Sequence, residues 1–391
     1  MNIKSLLLGS AAALVAVSGA RAADAVEVVA EPEPMEYVRV CDTYGTGYFY
    51  IPGTETCLRI GGYIRYDIGI GDGPYGGHSV TDHTDGTDND TYHKRARFSL
   101  RTWTGTETEL GTLSTFTETR WNYTDGEGTS TSLNFAWVQL GGFRVGKDES
   151  AYVTFDGYAG STIADDLIPY GPFDTNLVSY TFDAGNGFSA ILSLEYGNDE
   201  AGSGFGGSFA WADDYQIDSY VPHVVGGLKY AGGWGGVNLV AGYDSIHEEF
   251  AAKLRADVNV NDQLSLFAMV GYGSYDDDTA PFGPDFSGSA AGGTTFGKNY
   301  YKPWNGNWAV WAGGAFKFSE KATFNLAASW AEGYDELDQD NDWGVAANVD
   351  YEIVKGFHII PEITYTDYGT IEDDGPGAEG FGGFLRFQRN F

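Results

Sequence analysis

From residue 57 to the end, the chain repeats one pattern: stretches of roughly ten residues with alternating apolar and polar side chains, joined in turn by very short turns and long acidic segments. A strand sends successive side chains to opposite faces, so each stretch carries an apolar wall and a polar wall back to back. In "CLRIGGYIRYDIGI", residues 57–70, Leu58, Ile60, Ile64, Tyr66, Ile68 and Ile70 hold even positions, whereas Arg59, Arg65 and Asp67 hold odd ones. Read this way, strands cover 57–71, 93–104, 111–123, 132–140, 143–147, 176–183, 188–197 and 223–231, then 236–244, 249–260, 263–273, 307–318, 321–331, 342–354, 356–367 and 381–391. Tight turns fall at 141–142, 184–187, 232–236, 261–262, 319–321 and 355–356. Long segments fall on the other edge, at 72–92, 124–131, 148–175, 198–222, 245–248, 274–306, 332–341 and 368–380. Sixteen strands with one short-turn edge and one long-loop edge predict an all-β, antiparallel transmembrane barrel with short periplasmic turns and long extracellular loops.

The two faces fit that environment. Near the long-loop edge the outward parity carries Tyr66, Trp121 or Tyr123, Tyr196, Tyr243, Tyr272, Trp330 and Tyr365; near the short-turn edge it carries Phe182, Phe188, Tyr230, Phe318, Phe324, Tyr351, Phe357 and Phe391. Two aromatic rows around an aliphatic band match rings seated at the two headgroup levels. Inward parity is polar or small, as in Lys253, Arg255, Asp257 and Asn259 or Ser189, Ser193 and Glu195, and a lumen of this strand number is expected to be water-filled. Two segments fit less simply. "LNFAWVQL", 133–140, is apolar on both faces, and 111–121 turns Thr115, Thr117 and Thr119 outward, which suggests a protein neighbour there rather than lipid.

The 56 Gly, 24 Phe, 26 Tyr and 10 Trp suit strands and tight turns, and the formal net charge of −33 excludes nucleic acid as a partner. Lys4 followed by an apolar run and the small-residue pattern Ala20-Arg21-Ala22 reads as a signal peptide over 1–22. The Glu/Pro alternation that follows cannot build a core, so 23–56 is expected to be an N-terminal periplasmic segment leading into a barrel over 57–391. Cys41 and Cys57 are the only two cysteines, and in an oxidising compartment they are expected to pair.

Inward parity on neighbouring strands gathers Arg59, Arg65, Arg95, Arg97, Arg101, Arg120 and Arg144, joined by Arg386 where the last strand closes beside the first. This predicts a basic wall on one side of the lumen. The third long loop, 148–175, carries Asp148, Glu149, Asp156, Asp165, Asp166 and Asp174. Folded inward, it would set acid against base across a constriction, with Arg97 and Arg101 against Asp165 and Asp166 the expected pairing.

The stretch "EYVRVCDTYGTGYFYIPGTETCLRIGGYIRYDI", 36–68, with "VQLGGFRVGK", 138–147, and the ending "GGFLRFQRNF" resembles the general diffusion porins of the alphaproteobacterial Brucella and Rhizobium type. The resemblance covers essentially the whole mature chain. It implies a homotrimer of barrels in the outer membrane, the third loop folded into the pore, passive diffusion of small hydrophilic solutes and ions, and a terminal Phe391 that signals to the barrel-assembly machinery.

Catalytic motifs are not apparent. His78, His83 and His93 lie among aspartates in the first long loop, yet "TDHTDGTDND" lacks the EF-hand register and no Ser/His pair shares a strand face, so neither an enzyme nor a resident cofactor is expected. Ca²⁺ or Mg²⁺ bridging the acidic outer loops to lipopolysaccharide is the one metal role the charge suggests. A substrate-specific sugar channel is the second functional reading, weakened because inward Tyr63, Trp311 and Phe267 are few and scattered; a surface adhesin is the third.

Overall fold

A computed structural model describes residues 39–72, 76–198, 215–276, 297–335, 339–369 and 379–391. The expected signal peptide, 1–22, and residues 23–38 of the segment expected to follow it lie outside the described residues. Sixteen antiparallel strands form the wall. They are β1 (Cys57–Gly71), β2 (His93–Thr108), β3 (Gly111–Thr124), β4 (Thr129–Leu140), β5 (Phe143–Glu149), β6 (Asp174–Asp183), β7 (Phe188–Glu195) and β8 (His223–Gly232). The second half adds β9 (Gly235–Asp244), β10 (Glu249–Asn259), β11 (Leu264–Gly273), β12 (Trp308–Ser319), β13 (Ala322–Ala331), β14 (Asp342–Val354), β15 (Phe357–Asp367) and β16 (Glu379–Asn390). Each strand pairs with its sequence neighbours, and β16 pairs with β1, so the sheet closes with no free edge.

Closure depends on a glycine. The backbone N–H of Gly62 donates to the Phe391 carbonyl and the Phe391 N–H to the Gly62 carbonyl, both at 3.1 Å. Gly62 has φ +151°, and a Cβ there would meet the Ser99 carbonyl oxygen of β2 at 2.0 Å, so only glycine lets β1 lie against β2 at the point where it also bonds the chain end. Below this point Phe49 and Tyr50 pair with Leu58 and Cys57, and the Cys41–Cys57 disulfide ties the preceding segment to the start of β1.

Outward side chains form the expected apolar belt, with Ile60, Ile64, Leu239, Leu254, Leu266 and Leu326 all exposed. At the long-loop edge Tyr243 opposes Phe250, Tyr272 opposes Trp308, Trp330 opposes Trp343 and Tyr365 opposes Phe381. The undecided segment 133–140 is resolved by a bulge: Glu118 pairs with Phe135 and Thr119 with Leu133, leaving Asn134 as the extra residue. Leu133 and Val138 are exposed on the outer face, whereas Phe135 and Trp137 join the parity of Glu118 and line the lumen.

The lumen is not simply water. The third loop folds back against the inner wall of β7–β15, led by a four-residue helix, α1 (Ala151–Thr154), whose N-cap Ser150 accepts from the Tyr152 N–H. Tyr152, Val153, Ile168 and Tyr170 pack with Val225, Val240, Met269 and Trp311 into a buried apolar core inside the barrel. A second loop segment adds Tyr300, Tyr301 and Trp304 to the same core. Side chains therefore fill one side of a lumen that strand number alone would leave open.

Candidate functional site

Ring order places β16, β1, β2, β3, β4 and β5 side by side, so inward arginines from these strands stack into one wall. The wall carries its own counter-charges. The fully buried Asp67 carboxylate accepts from Arg386 Nε at 2.8 Å and Arg95 Nη2 at 3.1 Å. The fully buried Glu118 carboxylate accepts from Arg101 Nε at 2.7 Å and Arg120 Nε at 2.5 Å. Arg65 donates to Gln388 at 2.9 Å and Arg97 to Asn122 at 2.6 Å, while Arg144 donates to Gln139 at 2.8 Å and Asp148 at 2.6 Å. Arg59 stacks on Trp103, its guanidinium carbon 4.3 Å from the ring centre. Eight arginines against Asp67, Glu118 and Asp148 leave the wall strongly positive, and the Arg101 and Arg144 side chains keep 35% and 32% of their exposure to the lumen. Sequence reasoning recognised Asp67 among the inward residues but not Glu118, although it shares the parity of Arg120 two positions on.

The opposite side of the lumen is held by side chains that grip loop backbone. Glu195 accepts from Ser150 Oγ at 2.7 Å, the Ala151 N–H at 2.9 Å and the Tyr301 hydroxyl at 3.0 Å. Lys253 Nζ donates to the Tyr170 carbonyl at 2.7 Å, Arg255 Nη1 to the Tyr158 carbonyl at 2.5 Å, and Asn238 Nδ2 to the Asp156 carbonyl at 2.8 Å. At the loop tip Glu362 accepts from the backbone N–H groups of Ile163 at 2.5 Å and Ala164 at 2.8 Å, and Trp311 Nε1 donates to the Ile168 carbonyl at 2.8 Å. Backbone amides left without a strand partner are thereby satisfied by wall side chains, which fixes an otherwise irregular segment in the lumen.

The predicted loop acids divide into three groups. Asp148 and Glu149 end β5 and Asp174 begins β6; their partners are Arg144, Tyr158 and Lys147, so they flank the loop rather than project from it. Asp156 is buried beneath the loop 3.8 Å from Lys253 Nζ, and burial holds its carboxyl above the usual range against the pull of that lysine. Asp165 and Asp166 alone lie half-buried at the tip. The Tyr170 hydroxyl donates to Asp165 at 2.9 Å, and burial together with the neighbouring Asp166 charge raises the Asp165 carboxyl to about 7. Arg97 and Arg101 thus bond within their own wall, to Asn122 and Glu118, and not to Asp165 or Asp166.

The sequence also missed a gripping cluster around Tyr300. Its N–H donates to Asp244 at 2.9 Å, and its ring stacks on His223 at 4.8 Å between centres. The signal available was "NYYKPW", 299–304, an aromatic run inside a Gly-rich acidic loop.

The chain and its fold both resemble known proteins. Residues 24–380 match the family described as the porin subfamily. The chain is 50% identical to porin Omp2b of Brucella neotomae over 410 residues, covering 100% of both chains, and the same figures hold for porin Omp2b of Brucella suis biovar 1 (strain 1330). Among solved structures, the outer membrane channel DcaP of Acinetobacter baumannii superposes with a TM-score of 0.63 at 15% identity, covering 88% of this chain and 99% of that one. A triple mutant of the Rhodopseudomonas blastica porin gives 0.50 at 14% identity, covering 85% of this chain and 100% of that one; at such identities both likenesses concern the fold alone. A closed barrel with a belt facing lipid and a charged, loop-narrowed lumen is an outer-membrane diffusion channel, and the chain belongs to the porin subfamily.

Proposed function

We propose that small hydrophilic solutes cross by passive diffusion between the docked third loop and the arginine wall, sieved by size and charge without catalysis or a resident cofactor. The observation that carries this reading is the one-sided docking of the loop: its backbone is bonded to β7–β15, and on the β16–β5 wall the Arg101 and Arg144 side chains stay about a third exposed. Arg59, Arg65, Arg95, Arg97, Arg101, Arg120, Arg144 and Arg386 supply the positive side of a transverse field, and Asp165 and Asp166 the negative side. Low-dielectric walls focus such a field, so charges here govern ion preference more than charges on the outer rim. Purified protein in a planar bilayer should give large steps that neutral sugars leave unblocked.

The assembly proposed with this reading is a homotrimer in contact through β1–β5. The outward threonines support it: Thr102 and Thr117 lie 2.6 Å apart through their hydroxyls, as do Thr104 and Thr115, giving a smooth, internally bonded surface unlike the aliphatic belt elsewhere. Native mass spectrometry should detect trimers, and Thr117→Leu should weaken them. Residues 1–22 would direct export, 23–56 would lie on the periplasmic side, Phe391 would be read by the barrel-assembly machinery, and Ca²⁺ or Mg²⁺ would bridge the acidic outer loops to lipopolysaccharide.

A further inference from the structure

The arginine wall contains a feature that size and charge sieving does not use. Arg59, Trp103, Phe116 and Trp137 are directly opposed in register across β1, β2, β3 and β4, so they form one line around the inside of the barrel. The Trp103 and Phe116 rings lie 5.3 Å apart at 29°, Phe116 and Trp137 5.7 Å apart at 50°, and Phe116 and Phe135 5.3 Å apart at 45°. All four rings are half-buried, packed on one another yet open to the lumen. Inward apolar surface of this extent has no role in a purely hydrophilic passage. It also exceeds the scattered inward aromatics expected from sequence, because the alternation of 133–140 left Phe135 and Trp137 without an assigned face.

Each end of the strip carries a guanidinium, and the two differ. Arg144 sits 4.1 Å over Trp137 and is bonded to Gln139 and Asp148. Arg59 sits 4.3 Å over Trp103 and, among the described residues, makes no hydrogen bond or ion pair, unlike the seven other arginines of the wall. A stacked guanidinium presents its planar fork of donors edge-on, the geometry that matches a carboxylate. The segment before β1, held by the disulfide, reaches this end of the strip: Tyr44 covers Gly105, and its hydroxyl donates to Glu107 at 2.9 Å. Polar groups bordering the rings are committed to one another, Glu118 to Arg101 and Arg120, and Gln139 to Arg144. A saccharide would find few partners for its hydroxyls here, whereas a flat ring with a single carboxylate needs only the rings and Arg59.

We propose that this strip is a docking subsite for aromatic carboxylates on their way through the pore, the ring lying on Trp103 and Phe116 and the carboxylate on Arg59. The proposal rests on the reading of the lumen as the solute path, and the test separates the two. Single channels in a planar bilayer are recorded in chloride while sodium benzoate is titrated in, with sodium acetate and glucuronate as the ring-free and hydroxylated comparisons. Benzoate should lower the current with half-effect on the order of millimolar, as one stacked ring and one exposed bidentate contact allow. Acetate and glucuronate should be at least about tenfold weaker. Arg59→Gln and, independently, Phe116→Leu, which keeps apolar bulk but removes the ring, should each weaken the benzoate effect about tenfold relative to that variant's own open current. Equal effects of benzoate and acetate, glucuronate matching benzoate, or variants that respond like the parent would overturn the subsite. Absence of any channel current would instead overturn the pore reading itself.

Discussion

The Glu118 carboxylate, fully buried in the barrel wall, accepts hydrogen bonds from both Arg101 and Arg120, at 2.7 Å and 2.5 Å. One acid therefore offsets part of the charge of two arginines at mid-wall. Glu118→Gln keeps the shape while removing the negative charge and leaving one of the two arginines without its acceptor. The variant should shift the chloride over potassium permeability ratio toward chloride by about two- to threefold, measured as a reversal potential in a salt gradient. An unchanged ratio would mean that these arginines do not face the conducting path.

Selectivity should depend on pH through Asp165. Its carboxyl is raised to about 7 by burial and by Asp166, so it is mostly neutral below that pH and charged above it. Cation preference should therefore grow as pH rises from 6 to 8 and fall again on return. Asp165→Asn should flatten that dependence; a wild-type reversal potential constant over this range would contradict the assignment.

The loop tip is held by Glu362, which accepts from the N–H groups of Ile163 and Ala164 and from Asn348. Glu362→Ala leaves the two loop amides without their acceptor, a loss of roughly 1–3 kcal/mol for each buried group left unpaired. Open-channel current noise should rise and flickering closures should appear, while the barrel, held by its closed ladder, still resists detergent unfolding. A quiet channel indistinguishable from the parent would show that Glu362 does not hold the tip.

Removal of the Cys41–Cys57 disulfide should have a modest effect. The bond closes a loop with a sequence separation of 16, worth about 3 kcal/mol in a chain-entropy view. Cys41→Ser with Cys57→Ser should lower the thermal midpoint slightly and expose the segment before β1 to protease, without loss of assembly. Mass spectrometry finding both thiols free in the native protein would rule out the bond.

Much of this architecture was legible in the sequence because alternation is a direct record of two media. Ile60 and Ile64 against Arg59 and Arg65 announce lipid on one side and water on the other, and most of the sixteen strands follow from that contrast. Legibility failed where periodicity carries no such contrast. Phe135 and Trp137 face inward as apolar residues, so their strand looked the same on both sides. Tyr300, Tyr301 and Trp304 lie in a loop with no period at all, and only their bunching hinted at burial. Asp156 reads as a lumen charge in sequence, yet it is buried 3.8 Å from Lys253 Nζ, because the loop that carries it is bonded to the wall through its backbone, Asn238 donating to the Asp156 carbonyl.

The central claim, that conduction runs between the arginine wall and the loop tip, is tested most directly by reversal potentials of two double variants in one salt gradient. Arg97→Gln with Arg101→Gln should move selectivity toward cations, and Asp165→Asn with Asp166→Asn should move it toward anions, both while large single-channel steps persist. If both variants conduct with the reversal potential of the parent, the path does not run between these groups and the account is wrong.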